Sequence, residues 1–141
     1  MNKLFLILFF GFTLVCKSDF NKVSEFNIVG KWEWESYSSS GNFVFYSNGI
    51  AEMESENEKI GGKDFMRNGK KFSLEYKIDY DKTPKTLDLI FTELESKKQL
   101  KIPGIIDIVE KDILLYARGK NGIRPKSIAE SDDKITLYRI K

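Results

Sequence analysis

Histidine is absent from these 141 residues, and with it the commonest general acid-base group and the commonest metal ligand. Ser-His-Asp, Cys-His and His-based zinc arrangements are thereby excluded. Carboxylate, lysine, tyrosine and serine chemistry remains. Glu33 and Glu35 share one side of a strand-like segment, and paired carboxylates are the equipment of glycoside hydrolysis. They alternate with Trp32 and Trp34, so indoles that point inward turn both carboxylates to solvent. Glu52, Glu54, Glu56 and Glu58 form a second acidic stripe with period two. A calcium ion needs six to eight oxygens converging from a bent loop, whereas a straight strand spreads its ligands apart. Asp79-Tyr80-Asp81 opens like a calcium loop, but Pro84 stands at the glycine position and Ile90 at that of the bidentate Glu. Gly61-Gly62-Lys63-Asp64 lacks both the first glycine of a phosphate loop, replaced by Asn57, and its Ser/Thr, replaced by Asp64. It reads as a flexible hairpin loop. The expectation is a chain that is not an enzyme, with no catalytic residue, no cofactor and no metal.

The elements that must position any site are β-strands. Eleven Phe, six Tyr and two Trp are many aromatics for this length, and pleated, half-buried strands accommodate them well. From 72 to 79, Phe72, Leu74, Tyr76 and Ile78 alternate with Ser73, Glu75, Lys77 and Asp79, which sends successive side chains to opposite faces. Leu87, Leu89 and Phe91 repeat the pattern, with Ile90 breaking the polar set. Strands are expected near residues 29–37, 42–46, 49–54, 72–79, 86–93, 99–110, 113–117 and 134–140. Ser47-Asn48-Gly49, Asn68-Gly69 and Asn121-Gly122 supply residues that tolerate positive φ in tight turns, and 38–41 is a fourth turn. Pro103 lacks an N–H for the ladder, so its strand is bent, bulged or at an edge there. The longest irregular stretch is 119–133, with a short helix expected around 127–131.

Residues 1–16 read as a secretory signal. Lys3 supplies the positive start, and residues 4–15 form a 12-residue uncharged run, shorter than the roughly 20 residues a spanning helix needs. The only cysteine, Cys16, ends that run. Thr13-Leu14-Val15-Cys16 is similar to the acylation box of bacterial lipoproteins, with Val15 in place of the usual small residue. That likeness implies a lipid on Cys16 and an exported, membrane-anchored product, with a periplasmic or secreted one as the alternative. With one cysteine no internal disulfide can form. Residues 17–27 are polar enough for a tether, and one domain spans 28–141. The chain carries 23 basic and 21 acidic residues, and without Lys3 the balance is 22 to 21. So even a balance has no field to steer nucleic acid or an anionic membrane, and Lys97-Lys98 is too short a basic run to change that.

Gly30-Lys31-Trp32, Tyr76-Lys77-Ile78-Asp79, Pro84-Lys85-Thr86-Leu87-Asp88-Leu89, Gly104-Ile105, Arg124-Pro125 and Tyr138-Arg139 form a spaced series. The series resembles a family of small, uncharacterised, exported bacterial proteins with a lipocalin-like barrel. Two positions depart from it: Ile106 and Ile128 stand where the family tends to have an aromatic. The resemblance implies an all-β, eight-stranded antiparallel up-and-down barrel. It also implies a structural latch in which Arg139 packs over the indole of Trp32 beside Gly30, a contact of about 0.5–2 kcal/mol.

Eight strands close around an interior able to hold side chains or one small ligand. The inward set Trp34, Phe72, Leu74, Tyr76, Leu87, Leu89 and Phe91 would line it. Arg124, in the longest irregular stretch, is either an arginine bonded to loop carbonyls or an anion contact at the barrel mouth. Two partners fit this reading: a small hydrophobic molecule in the lumen, or an envelope protein held by a barrel packed with its own side chains. Membrane contact is expected only through the lipid anchor.

Overall fold

Short alternating runs separated by turn residues fold here into eleven strands among the residues that the computed structural model describes, 25–35 and 39–141. The predicted signal with Cys16, the tether up to residue 24 and the start of the turn at residue 38 lie outside them. In chain order the strands are β1 (Gly30–Glu35), β2 (Ser40–Phe45), β3 (Ala51–Ser55), β4 (Lys59–Gly61), β5 (Phe65–Arg67) and β6 (Lys70–Asp79). There follow β7 (Lys85–Glu93), β8 (Gln99–Ile102), β9 (Gly104–Glu110), β10 (Ile113–Arg118) and β11 (Lys134–Ile140). They make one antiparallel sheet in the order β4-β3-β2-β1-β11-β10-β9-β7-β6-β5, with β8 also on β7. The sheet curls into a nearly closed barrel. Its seam is backbone: Tyr76 N–H donates to Gly49 O (2.8 Å) and Leu74 N–H to Gly62 O (2.9 Å).

The expected eight strands become eleven for two physical reasons. Strands β4 and β5 are three residues each, too short to show alternation, and they flank the glycine pair. Gly61 has φ +117°, and a Cβ there would meet Ala51 O at 2.5 Å. Only glycine allows this approach, so the expected flexible loop is a strand end and part of the barrel seam. Pro103 divides the predicted 99–110 strand into β8 and β9. The register on both sides, Leu89↔Ile102 and Thr86↔Ile105, places Pro103 opposite Asp88. No helix forms at 127–131, where the Ser131 N–H instead donates to Ile128 O in a turn.

One end of the lumen is packed. Trp32, Phe45, Leu74, Leu87, Leu114 and Leu137 are fully buried and come from six strands around the barrel. Each such side chain contributes roughly 1.5–3 kcal/mol by leaving water. Trp32 donates from Nε1 to Ile28 O (2.8 Å), and Phe26 tilts against its ring. The Arg139 guanidinium lies 4.1 Å from the Trp32 ring centroid and donates to Val29 O (2.8 Å) and Asn27 O (2.6 Å). Its Nε also pairs with Asp112 (3.0 Å). Gly30 leaves room for this arginine, since a Cβ would stand 2.8 Å from Nη1.

Candidate functional site

The other end of the barrel holds a cavity of about 570 Å³. Trp34, Phe43, Met53, Ile60, Leu89 and Ile135 form its wall, one side chain each from β1, β2, β3, β4, β7 and β11. Strand alternation explains the selection: Trp34 follows Trp32 on the inner side of β1, and Glu33 and Glu35 are exposed on the outer side. The volume falls inside the roughly 300–1,000 Å³ common for small-molecule sites. A larger hollow of about 1,010 Å³ lies between the outer wall and residues 126–129. Exposed Lys82, Lys126, Asp107 and Glu35 rim it, with Leu115, Ile128 and Ile135 at its base, so it is an open surface groove outside the lumen.

Tyr116 of β10 completes the inner wall. Its side chain meets Phe43 edge-on (6.3 Å, 81°), and Gly104 makes space for the ring, since a Cβ there would stand 2.5 Å from Cε2. The residue is 3% exposed, and its hydroxyl has no hydrogen-bond partner among the described residues. Burial pushes the phenol far above its ordinary value, so it stays protonated at physiological pH. At the rim, Arg118 is held by Asp133 through Nε (2.9 Å) and Nη2 (2.8 Å). Lys134, also on the rim, donates to Ala129 O.

The segment 119–133 leaves β10 at this rim, crosses the outer wall as a strap and returns to β11. Gly119 N–H donates to Pro103 O (2.7 Å), and Arg118 N–H to Asp133 O (2.9 Å). Midway, Arg124 forks onto Asp88, Nη1 to Oδ1 at 2.6 Å and Nη2 to Oδ2 at 3.1 Å. Lys101 pairs with Oδ2 (2.9 Å), and Gly104 N–H donates to Oδ1 (3.3 Å). Arg124 also donates to Gly104 O. The break at Pro103 frees both backbone groups of Gly104, and the Asp88–Arg124 pair takes them up.

The Asp88 side chain is only 6% exposed. Burial alone would push its carboxyl up, but the hydrogen bonds from Arg124, Lys101 and Gly104 outweigh it and hold the group below its ordinary value. A carboxyl depressed in the fold contributes stability above its unfolded pKa of about 3.9, and that stability is lost as pH falls through the folded value. Urea unfolding should therefore lose midpoint steeply below about pH 4. The Asp88→Asn variant should show a shallower acid slope, and an unchanged slope would contradict this account.

Of the residues expected to line the lumen, Trp34 and Leu89 border the cavity. Leu74 and Leu87 belong to the packed core. Tyr76 stacks edge-on against Phe45 and donates to Tyr46 O (2.8 Å), which makes it part of the seam. Phe72 and Phe91 flank Phe65 in an aromatic cluster away from the cavity. Arg124 faces Asp88 on the outer wall and is not an anion contact at the mouth. The acidic stripe does not converge either, because Glu52 pairs with Lys59 (3.3 Å) while Glu54, Glu56 and Glu58 are exposed. Among the described residues no group of three or more His, Cys, Asp or Glu could hold a metal ion.

Sequence reasoning missed Tyr116, Phe43, Met53, Ile60 and Ile135 in the cavity, and Asp88 with Lys101 under the strap. Alternation of Leu114 with Tyr116 was a usable signal for the phenol. Fold and cavity together define an all-β barrel with one packed end and one open end. In comparisons with protein-family models, curated proteins and solved structures, nothing matches this chain.

Proposed function

We propose that this chain is an exported, lipocalin-like binding protein that carries a small, mostly apolar molecule in the open half of its barrel. The observation that carries the reading is the cavity of about 570 Å³ above a packed floor, with an apolar inner wall and a polar rim that includes Glu58, Arg118, Asp133 and Lys134. A barrel packed solid for protein contacts, the alternative expectation, fits the Trp32 half and not the Trp34 half. No catalytic step belongs to the reading, since the carboxylates that could supply one point outward and apart. The lipid on Cys16 and the export route belong to the proposal on sequence grounds.

The test uses N-phenyl-1-naphthylamine, a neutral probe whose emission rises in apolar surroundings. One molecule should bind saturably to the wild-type chain. The double variant Met53→Trp/Ile135→Trp fills much of the cavity and should weaken binding by roughly tenfold or more, about 1.4 kcal/mol. Equal affinity in the two proteins, or no saturable binding by the wild type, would overturn the proposal.

A further inference from the structure

The groove between the outer wall and the strap, about 1,010 Å³, combines two features that the lumen does not use. Its base is apolar although it faces away from the core. On β10, Leu114 and Tyr116 point inward, so Leu115 stands on the outer side, between Thr136 of β11 and Asp107 of β9 in the cross-strand register. Leu115 and the strap's Ile128 are only half-buried, and water still reaches both.

Around that base the fold gathers positive charge. Lys82 precedes β7, Lys85 begins it, Lys126 lies on the strap and Lys134 begins β11. The sheet order β11-β10-β9-β7 sets Lys134 and Lys85 on opposite sides of Leu115. Lys134 donates to Ala129 O, whereas the ammonium groups of Lys82, Lys85 and Lys126 have no partner among the described residues. Two carboxylates, Glu35 and Asp107, also line the groove, and neither pairs with any of these lysines. Asp81, Glu130 and Asp132 lie outside its lining. Four ammonium groups against two carboxylates leave the hollow net positive, in a chain whose charges otherwise nearly balance.

The two features together select a ligand. An ammonium compound is repelled, an inorganic anion leaves the aliphatic base in water, and a neutral hydrocarbon leaves the lysines without a counter-charge. We infer that the groove under the strap binds an anionic amphiphile, a single-chain carboxylate whose head is held among Lys82, Lys85 and Lys126 while its chain covers Leu115 and Ile128. This is a second site, outside the barrel and independent of the lumen.

Isoleucine methyl-13C spectra tell the sites apart, because Ile128 lines the groove and not the cavity, and Ile60 the cavity and not the groove. Monomeric decanoate should shift the Ile128 resonance saturably, and several-fold more tightly than decan-1-ol or decylammonium. Butyrate, with too short a chain to cover the base, should bind at least roughly tenfold more weakly. In Lys82→Glu/Lys126→Glu each change removes an attraction and adds a repulsion of similar size. Decanoate should then weaken by roughly tenfold or more at Ile128, and decylammonium should become the better ligand. Both positions are exposed, so the denaturant midpoint and N-phenyl-1-naphthylamine binding should stay as in the wild type. No saturable shift at Ile128, decan-1-ol or decylammonium matching decanoate there, or butyrate matching it, overturns the inference. So does an unchanged decanoate affinity in the variant. None of these outcomes touches the lumen reading, which the N-phenyl-1-naphthylamine titration tests separately.

Discussion

Replacing Arg124 with alanine should destabilise the protein by about 3–5 kcal/mol, the cost of leaving a buried carboxylate without its main partner. Asp88 would keep only Lys101, whose side chain is half exposed, and the Gly104 N–H. Gly104 O would lose its donor in the same step. Chemical denaturation at pH 7 measures the loss, and the double variant Arg124→Ala/Asp88→Ala should recover part of it, because the stranded charge is then gone. Arg124→Lys should rescue poorly, since an ammonium cannot make the two-pronged contact. A loss below about 1 kcal/mol, the ordinary value of an exposed pair, would mean the strap is not held this way.

Trp32→Ala should cost a similar amount, about 3–5 kcal/mol, by opening a cavity in the packed floor. It also removes the ring beneath Arg139 and the donor to Ile28 O. Trp34→Ala, two residues along the same face, should cost clearly less because Trp34 is only partly buried and already borders open space. The two variants thus separate the halves of the lumen. Equal losses in denaturant unfolding would show that the floor and the open half are packed alike.

Much of the barrel was legible in local sequence. The strict alternation of residues 72–79 gives β6, and Asn68-Gly69 and Asn121-Gly122 both adopt the positive φ their turns require. The three-residue strands were not legible, because alternation needs length to be seen. Nor was the meaning of Asp88, Gly104 and Arg124. Their recurrence as separate short motifs gave no sign that they meet at one point, since that meeting depends on Pro103 falling opposite Asp88 in a non-local register.

The candidate site was legible in the same partial way. Alternation assigned Trp34 and Leu89 to the inside, where both border the cavity. It could not say that Leu74 and Leu87, equally inward, would be consumed by the floor. Which inward side chains fill space and which border it depends on volumes facing one another across the barrel, and those are set by strands distant in sequence.

The described methionines provide the most direct measurement. Met53 lines the cavity, whereas Met66 on β5 is 60% exposed and lies outside its lining. With methyl-13C methionine labelling, titration with hexanophenone should shift the Met53 methyl resonance saturably, at one molecule per chain, and leave Met66 in place. If Met53 does not move, or if both methyls drift together without saturation, the open half of the barrel is not a binding site.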